Sequence, residues 1–301
     1  MQPSSYKFAL TDVFTDALFG GNQLAVVTDA RGLSSAQMQN IAREFNFSET
    51  TFVLPPQAVG ARHVIRIFTP RAELPFAGHP TIGTAAVLAF QQLAPAADAH
   101  GTVIYEEAIG PIAVRVQSAR GRTLIAEFEI AAALERGPSP DLSELAHAVG
   151  VSPSAVTQAW CAGIGIAFCF VHLTDEHTVD AAVVDRTLWQ ALVARGCAAP
   201  VFLFCGEFTD GATLYARMLA PDLGVAEDPA TGSACVALVA SLAERGALRE
   251  GVLGLTIRQG VAMGRPSLLQ AYAHRVAGAT HHLRLRGSSV IVAEGSLTIG
   301  G

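Results

Sequence analysis

Charge is scarce in this chain, and what there is leans acidic: only 15% of the 301 residues are charged, with a net −6 at pH 7. No basic run with interleaved aromatics occurs, so nothing draws the protein to nucleic acid or to an anionic membrane surface. Long hydrophobic runs are also missing. The stretch Ala159 to Val171 is the longest uncharged apolar run near mid-chain, well short of the roughly 20 residues a spanning helix needs. The segment Met1-Gln2-Pro3-Ser4-Ser5-Tyr6-Lys7 lacks the apolar core of a signal peptide, and a soluble, cytoplasmic protein is expected. The five cysteines (Cys161, Cys169, Cys197, Cys205, Cys235) are odd in number and never form Cys-x-x-Cys. Their spacing suggests neither a disulfide framework nor a thiolate metal site, and buried free thiols are expected. No strand–Gly-x-Gly-x-x-Gly–helix unit, no Gly-x-x-x-x-Gly-Lys loop and no Gly-x-Ser-x-Gly elbow appears. These absences argue against dinucleotide binding, P-loop phosphate binding and a serine-hydrolase triad. His281-His282 and the pair His172 and His177 lack metal-ligand spacing. No metal and no cofactor is expected.

Apolar residues are plentiful, at 50%, and the length suffices for two domains with cores of their own. Strand-like segments are expected at Phe8–Phe14, Leu24–Thr28, Thr50–Leu54, His63–Phe68, Thr102–Glu106, Ile112–Val116 and Thr123–Ile130. Later ones are expected at Gly163–Leu173, Ala199–Phe204, Thr213–Met218, Leu255–Gln259, Ser267–Ala273, Val276–Gly278, His281–Leu285, Val290–Glu294 and Ser296–Ile299. One helix carries Met38, Ile41, Ala42 and Phe45 at helical spacing behind a Ser34 or Ser35 cap. Shorter ones are expected after Asp141 and over Thr187–Arg195. Two further runs, Ile82–Leu93 and Ala234–Leu242, are apolar on nearly every side and must be enclosed. Gly137-Pro138-Ser139-Pro140 is the best linker candidate.

Both enclosed helices open in the same way. Gly78-His79-Pro80-Thr81-Ile82-Gly83-Thr84-Ala85 and Asp228-Pro229-Ala230-Thr231-Gly232-Ser233-Ala234 each place a polar or ionisable residue before Pro, then Gly, a hydroxyl residue and Ala. The spacing suggests two helix N-termini facing each other across a cleft. Such termini present unpaired N–H groups and a positive dipole end to carboxylates and developing oxyanions. An imidazole (His79) in one copy and a carboxylate (Asp228) in the other suit proton transfer and substrate anchoring. Glu49 opens an apolar strand between phenylalanines that could desolvate it, although its position alone reads more readily as an exposed strand end.

Asp12-Val13-Phe14-Thr15, Gly21 to Val27, Ser48 to Val53, Gly78 to Thr81, Glu227 to Ala234 and Gly264-Arg265-Pro266-Ser267 together resemble the PhzF family of phenazine-biosynthesis-like isomerases. The resemblance implies an α+β, diaminopimelate-epimerase-like fold. It has two pseudo-symmetric domains, each a curved, mostly antiparallel sheet around a central apolar helix, with the site between them. The domains are expected at 1–130, completed by strands at 288–301, and at 131–287. By resemblance Glu49 is the acid/base, and His79, Asp228 and Ser233 contact the substrate and handle protons. Gly78 and Gly232 match the backbone donors, and Asn22 and Thr231 complete the substrate-binding set. Diaminopimelate epimerase uses a thiol at each helix start; neither start here holds a cysteine, and Cys235 lies just inside the second helix. The implied chemistry is a cofactor-independent proton shift on a small carboxylate of the dihydro-hydroxyanthranilate type, carried out by a homodimer. The alternatives are epimerisation of an amino acid derivative, or binding without catalysis.

Overall fold

The computed structural model describes residues 4–93, 101–131, 133–198, 200–223, 225–276 and 279–300. The chain folds as two compact units, Met1–Glu129 with Arg286–Gly301, and Ile130–Leu285. Both mix helix with mostly antiparallel sheet, and among the described residues no helix is long and apolar enough to cross a membrane.

In the first unit, strand Ser4–Val13 pairs antiparallel with Asn22–Val27 and with the closing part of Ala279–Ile299. Asn22–Val27 runs parallel to Glu49–Leu54, which pairs antiparallel with His63–Phe68. His63–Phe68 runs parallel to Thr102–Glu107, and Gly110–Arg120 and Thr123–Ile130 follow antiparallel. The first parallel crossover carries helix Ser35–Phe45. Ser34 and Gln37 form a reciprocal capping box at its start, and Asn46 ends it at φ 53°. Met38, Ile41 and Ala42 are its buried stripe, and Met38 and Ile41 each contribute about 1.5–3 kcal/mol by leaving water. The second crossover carries helix Gly78–Phe90, buried at every residue from Gly78 to Leu88. Gly83 permits its close approach: a Cβ there would lie 2.6 Å from both Leu24 Cδ2 and Val13 Cγ2.

In the second unit, Val156–Ile164 and Ile166–Leu173 form a hairpin, and Ile166–Leu173 runs parallel to Val201–Cys205. Val201–Cys205 pairs antiparallel with Thr213–Ala220. Thr213–Ala220 runs parallel to Gly251–Gln259, which pairs antiparallel with Ser267–Val276. Helices Leu142–Ala148, Glu176–Ala181 and Arg186–Ala194 contribute to one core with Trp189 and Leu173. Helix Gly232–Leu242 is buried at all but Ser233, and Trp160 Nε1 donates to its Ser241 Oγ at 3.1 Å.

The structure departs from sequence expectation in several places. Gly137 and Pro138 are not a free linker: Gly137 N–H donates to Cys161 O and Cys161 N–H to Pro138 O, at 2.8 and 3.1 Å. The strand expected at Gly163–Leu173 is only the second arm of a hairpin that turns at Gly165, φ 76°. Helix Glu176–Ala181 and strand Val225–Asp228 have no counterpart among the expected elements. The three expected C-terminal strands are one, Ala279–Ile299. Its glycines are cut-outs rather than turns: a Cβ on Gly287 would fall 2.2 Å from the Phe14 ring, and one on Gly295 2.7 Å from that of Phe8. The expected strand Val276–Gly278 lies partly outside the described residues.

Candidate active site

Of the residues singled out from sequence, the first unit holds Asn22, Glu49, Gly78 and His79, and the second holds Asp228, Thr231, Gly232 and Ser233. Each group forms a local constellation at the start of an enclosed helix.

Glu49 is the first residue of strand Glu49–Leu54 and lies opposite Leu24 in the parallel register. Thr51 and Thr84 share a 2.8 Å hydrogen bond that ties this strand to helix Gly78–Phe90. His79, the second residue of that helix, thereby meets Glu49, with Nε2 3.4 Å from Glu49 Oε2 and side chains 7% and 17% exposed. The distance is within ion-pair reach, yet Nε2 makes no hydrogen bond. The ring instead bonds the backbone of Gln23, and burial drives its pKa down to about 3, so the imidazole is neutral. With Nε2 unbonded, the network assigns the ring proton to Nδ1 and leaves the Nε2 lone pair toward Glu49. Asn22, buried at the head of strand Asn22–Val27, neighbours Gln23 in that strand. No side chain caps the helix start at Ala77, so its first N–H groups keep their capacity for a ligand.

A second carboxyl belongs to this helix start and has no local sequence signature. Thr81 Oγ1 lies 2.6 Å from Glu107 Oε1 and 2.9 Å from Ala77 O. One hydroxyl hydrogen cannot serve both acceptors. A protonated Glu107 resolves this, because its acid hydrogen supplies the second bond. Burial points the same way, raising the Glu107 pKa to about 8 against the opposing Thr81 bond. Glu107 Oε2 has no hydrogen-bond partner.

In the second unit, Asp228 closes strand Val225–Asp228 and is buried. Thr231 Oγ1 donates to Asp228 Oδ2 at 2.6 Å and is therefore not spent on capping helix Gly232–Leu242. Gln259, fully buried, completes the arrangement: its Nε2 donates to Asp228 O at 2.8 Å and to Thr231 Oγ1 at 2.9 Å, while its Oε1 accepts from Thr231 N–H at 3.1 Å. One residue upstream, Glu227 makes a bidentate pair with Arg217 at 2.8 and 3.1 Å. Arg217 Nη1 also donates to the carbonyls of Val179, Asp180 and Ala182. Asp228 is thus fixed on both sides, by Thr231 and Gln259 on one and by the anchored Glu227 on the other. Gly232 is buried at the first helical position, and Ser233 beside it is half-buried. Gln259 and Arg217 escape sequence reasoning. Gln259 lies at a strand end with no motif around it, and only the fold brings it to Thr231.

The model of the PhzC-PhzF family, described as phenazine biosynthesis-like protein, matches residues 11–295. An uncharacterised isomerase of Mesorhizobium japonicum is 36% identical over 97% of this chain and 99% of its own. A trans-2,3-dihydro-3-hydroxyanthranilate isomerase of Pseudomonas chlororaphis is 35% identical over 98% of this chain and 100% of its own. The solved structure of a predicted epimerase from Pseudomonas aeruginosa superposes with a TM-score of 0.77 at 30% identity, covering 97% of this chain and 99% of the other.

Proposed function

The chain is an isomerase of the PhzC-PhzF family of phenazine biosynthesis-like proteins, and from that premise we propose that it moves a proton within a small carboxylate substrate, with Glu49 as the single acid/base. The observation that carries the reading is the pair of Glu49 and His79, 3.4 Å apart with an imidazole that is neutral and whose Nε2 makes no hydrogen bond. The imidazole lone pair can accept the carboxyl hydrogen once Glu49 is protonated, so an ionised Glu49 takes up one proton and the resulting acid gives it back. Glu49 takes a proton from carbon next to an activated centre, and the developing anion rests on backbone N–H groups at an uncapped helix start, Gly78 among them. The same proton then returns at another carbon, so the net change is a shifted double bond. Asp228, Thr231, Gly232 and Ser233 anchor the substrate together with Asn22, and no cofactor takes part. A cyclic carboxylate of the trans-2,3-dihydro-3-hydroxyanthranilate class is the substrate to try first, from the named relative.

The two units are read as copies of one domain, 1–130 completed by 288–301 and 131–287, in the manner of diaminopimelate epimerase. Five successive strand pairings support this, because they run antiparallel, parallel, antiparallel, parallel, antiparallel in both units. In both, the second parallel crossover carries the enclosed helix. A homodimer is the assembly expected, and light scattering tests it.

Turnover in D2O tests the chemistry. The wild type is expected to place deuterium in substrate or product, and Glu49→Gln to lose that exchange while still binding. Full exchange by Glu49→Gln would overturn the assignment. Inversion of one centre without a double-bond shift would replace isomerisation by epimerisation.

A further inference from the structure

We propose that the second unit carries a site for one soft, thiophilic metal ion, held by the thiolates of Cys161, Cys169 and Cys197. Cys161 and Cys169 are directly opposed partners in the Val156–Ile164/Ile166–Leu173 hairpin, so their side chains project from the same face. Cys197 reaches them from the turn after helix Arg186–Ala194, where its N–H donates to Leu192 O at 3.1 Å. The three sulfurs lie within 4.8 Å of one another, and those of Cys161 and Cys197 are 3.6 Å apart. Three thiolates around one ion at metal–sulfur distances of about 2.3 Å would stand about 4 Å apart, so little movement is needed.

The surroundings choose the kind of ion. The cysteines are 3%, 0% and 8% exposed and lie in a core with Val171, Trp189, Val201 and Leu203. Among the described residues no histidine or carboxylate belongs to the group, so the donor set is three sulfurs in an apolar medium. Such a set selects monovalent copper, zinc and their heavier congeners over magnesium, calcium or manganese. Cys161 Sγ also accepts from Ala198 N–H at 3.4 Å. A cation would replace the thiol protons, which leave to solvent as the ion binds. The site is independent of the Glu49 reading, and the two stand or fall separately.

The test uses the full-length protein, reduced and kept anaerobic, titrated with Cd(II) as a spectroscopic probe and with Cu(I) and Zn(II) in separate arms. One equivalent is expected to bind with thiolate-to-metal charge-transfer absorption and a rise in Tm, and the three arms rank the ions. X-ray absorption at the bound metal is expected to count three sulfurs. Cys161→Ala, Cys169→Ala and Cys197→Ala should each weaken binding by more than the roughly 10–100-fold that loss of a mere supporting group costs. Cys205→Ala and Cys235→Ala should leave it unchanged. Absence of uptake in all three arms overturns the proposal, as does uptake that survives Cys169→Ala. It is equally overturned if metal fails to bind and hydrogen peroxide instead joins Cys161 to Cys197 as a disulfide. Should a variant fail to fold, the sulfur count in the wild type decides, and fewer than three sulfurs refutes the site.

Discussion

At the start of helix Gly78–Phe90 an imidazole faces a carboxylate with no hydrogen bond at its Nε2, whereas at the start of helix Gly232–Leu242 four hydrogen bonds lock Asp228, Thr231 and Gln259 together. The two starts share a Pro-x-x-Gly sequence, which lies inside the first helix and leads into the second, and they differ in how their polar groups are satisfied. A buried ring nitrogen without a hydrogen bond is costly, on the order of 1–3 kcal/mol, and such a cost is tolerated where a proton must come and go. A satisfied network is rigid and suits the holding of a substrate. On the proposal that Glu49 is the acid/base, the unsatisfied start is the one that moves the proton and the satisfied start is the one suited to holding.

The largest effect should come from breaking the first end. Glu49→Gln keeps shape and volume but cannot carry the proton, and turnover should fall about 10²–10⁴-fold with little change in Tm. An equal loss from Gln259→Leu would erase the distinction between the ends. The second effect concerns how the first helix is placed. Gly83→Val puts new carbons where even a Cβ would lie 2.6 Å from Leu24 Cδ2 and Val13 Cγ2, and overpacking should cost about 1–3 kcal/mol or more in urea melts. Since that contact sets the helix against strand Asn22–Val27, whose Gln23 backbone holds the His79 ring, activity should fall with stability. Gln259→Leu comes next. It leaves Thr231 N–H without its acceptor in the core and should cost about 1–3 kcal/mol, with KM rising more than kcat falls.

How much of this could be read from residues alone depends on how local the cause is. Helix Ser35–Phe45 was legible because its capping box and its Met38, Ile41, Ala42 stripe are neighbours in sequence. Strand His63–Phe68 was legible as a strand-like run that ends in a Pro- and Gly-punctuated loop. The hairpin at Gly165 was not, since an apolar run on both sides hides a single left-handed turn. The long strand Ala279–Ile299 was broken in reading at glycines that exist to admit the rings of Phe14 and Phe8. At the site, the paired Pro-x-x-Gly segments were visible, but Glu49 emerged only through family resemblance. Its meeting with His79 is made by a parallel strand pairing and a threonine bridge distant in sequence. Glu107, Gln259 and the gathering of Cys161, Cys169 and Cys197 were illegible for the same reason: each depends on elements that meet across long separations.

The last effect is a pH signature confined to the first helix start. His79 is buried neutral with its pKa depressed from 6.5 to about 3, so its contribution to stability is complete above 6.5 and is lost as pH falls toward 3. Glu107 is buried as the acid with its pKa raised from 4.5 to about 8, so its contribution is complete below 4.5 and is lost as pH rises toward 8. Each group changes stability by at most about 1.4 kcal/mol per pH unit, with opposite sign. Below 4.5 only His79 contributes a slope, and stability rises with pH. From 4.5 to 6.5 the two slopes cancel, and from 6.5 to 8 Glu107 alone makes stability fall. Glu107→Gln should remove that alkaline decline and leave the acid limb, while His79→Gln should flatten the acid limb and keep the decline. Urea melts of the three proteins across this range separate the two groups. Identical pH profiles for wild type and Glu107→Gln would mean that Glu107 is ionised in the folded protein, and Thr81 would then have to choose between its two acceptors.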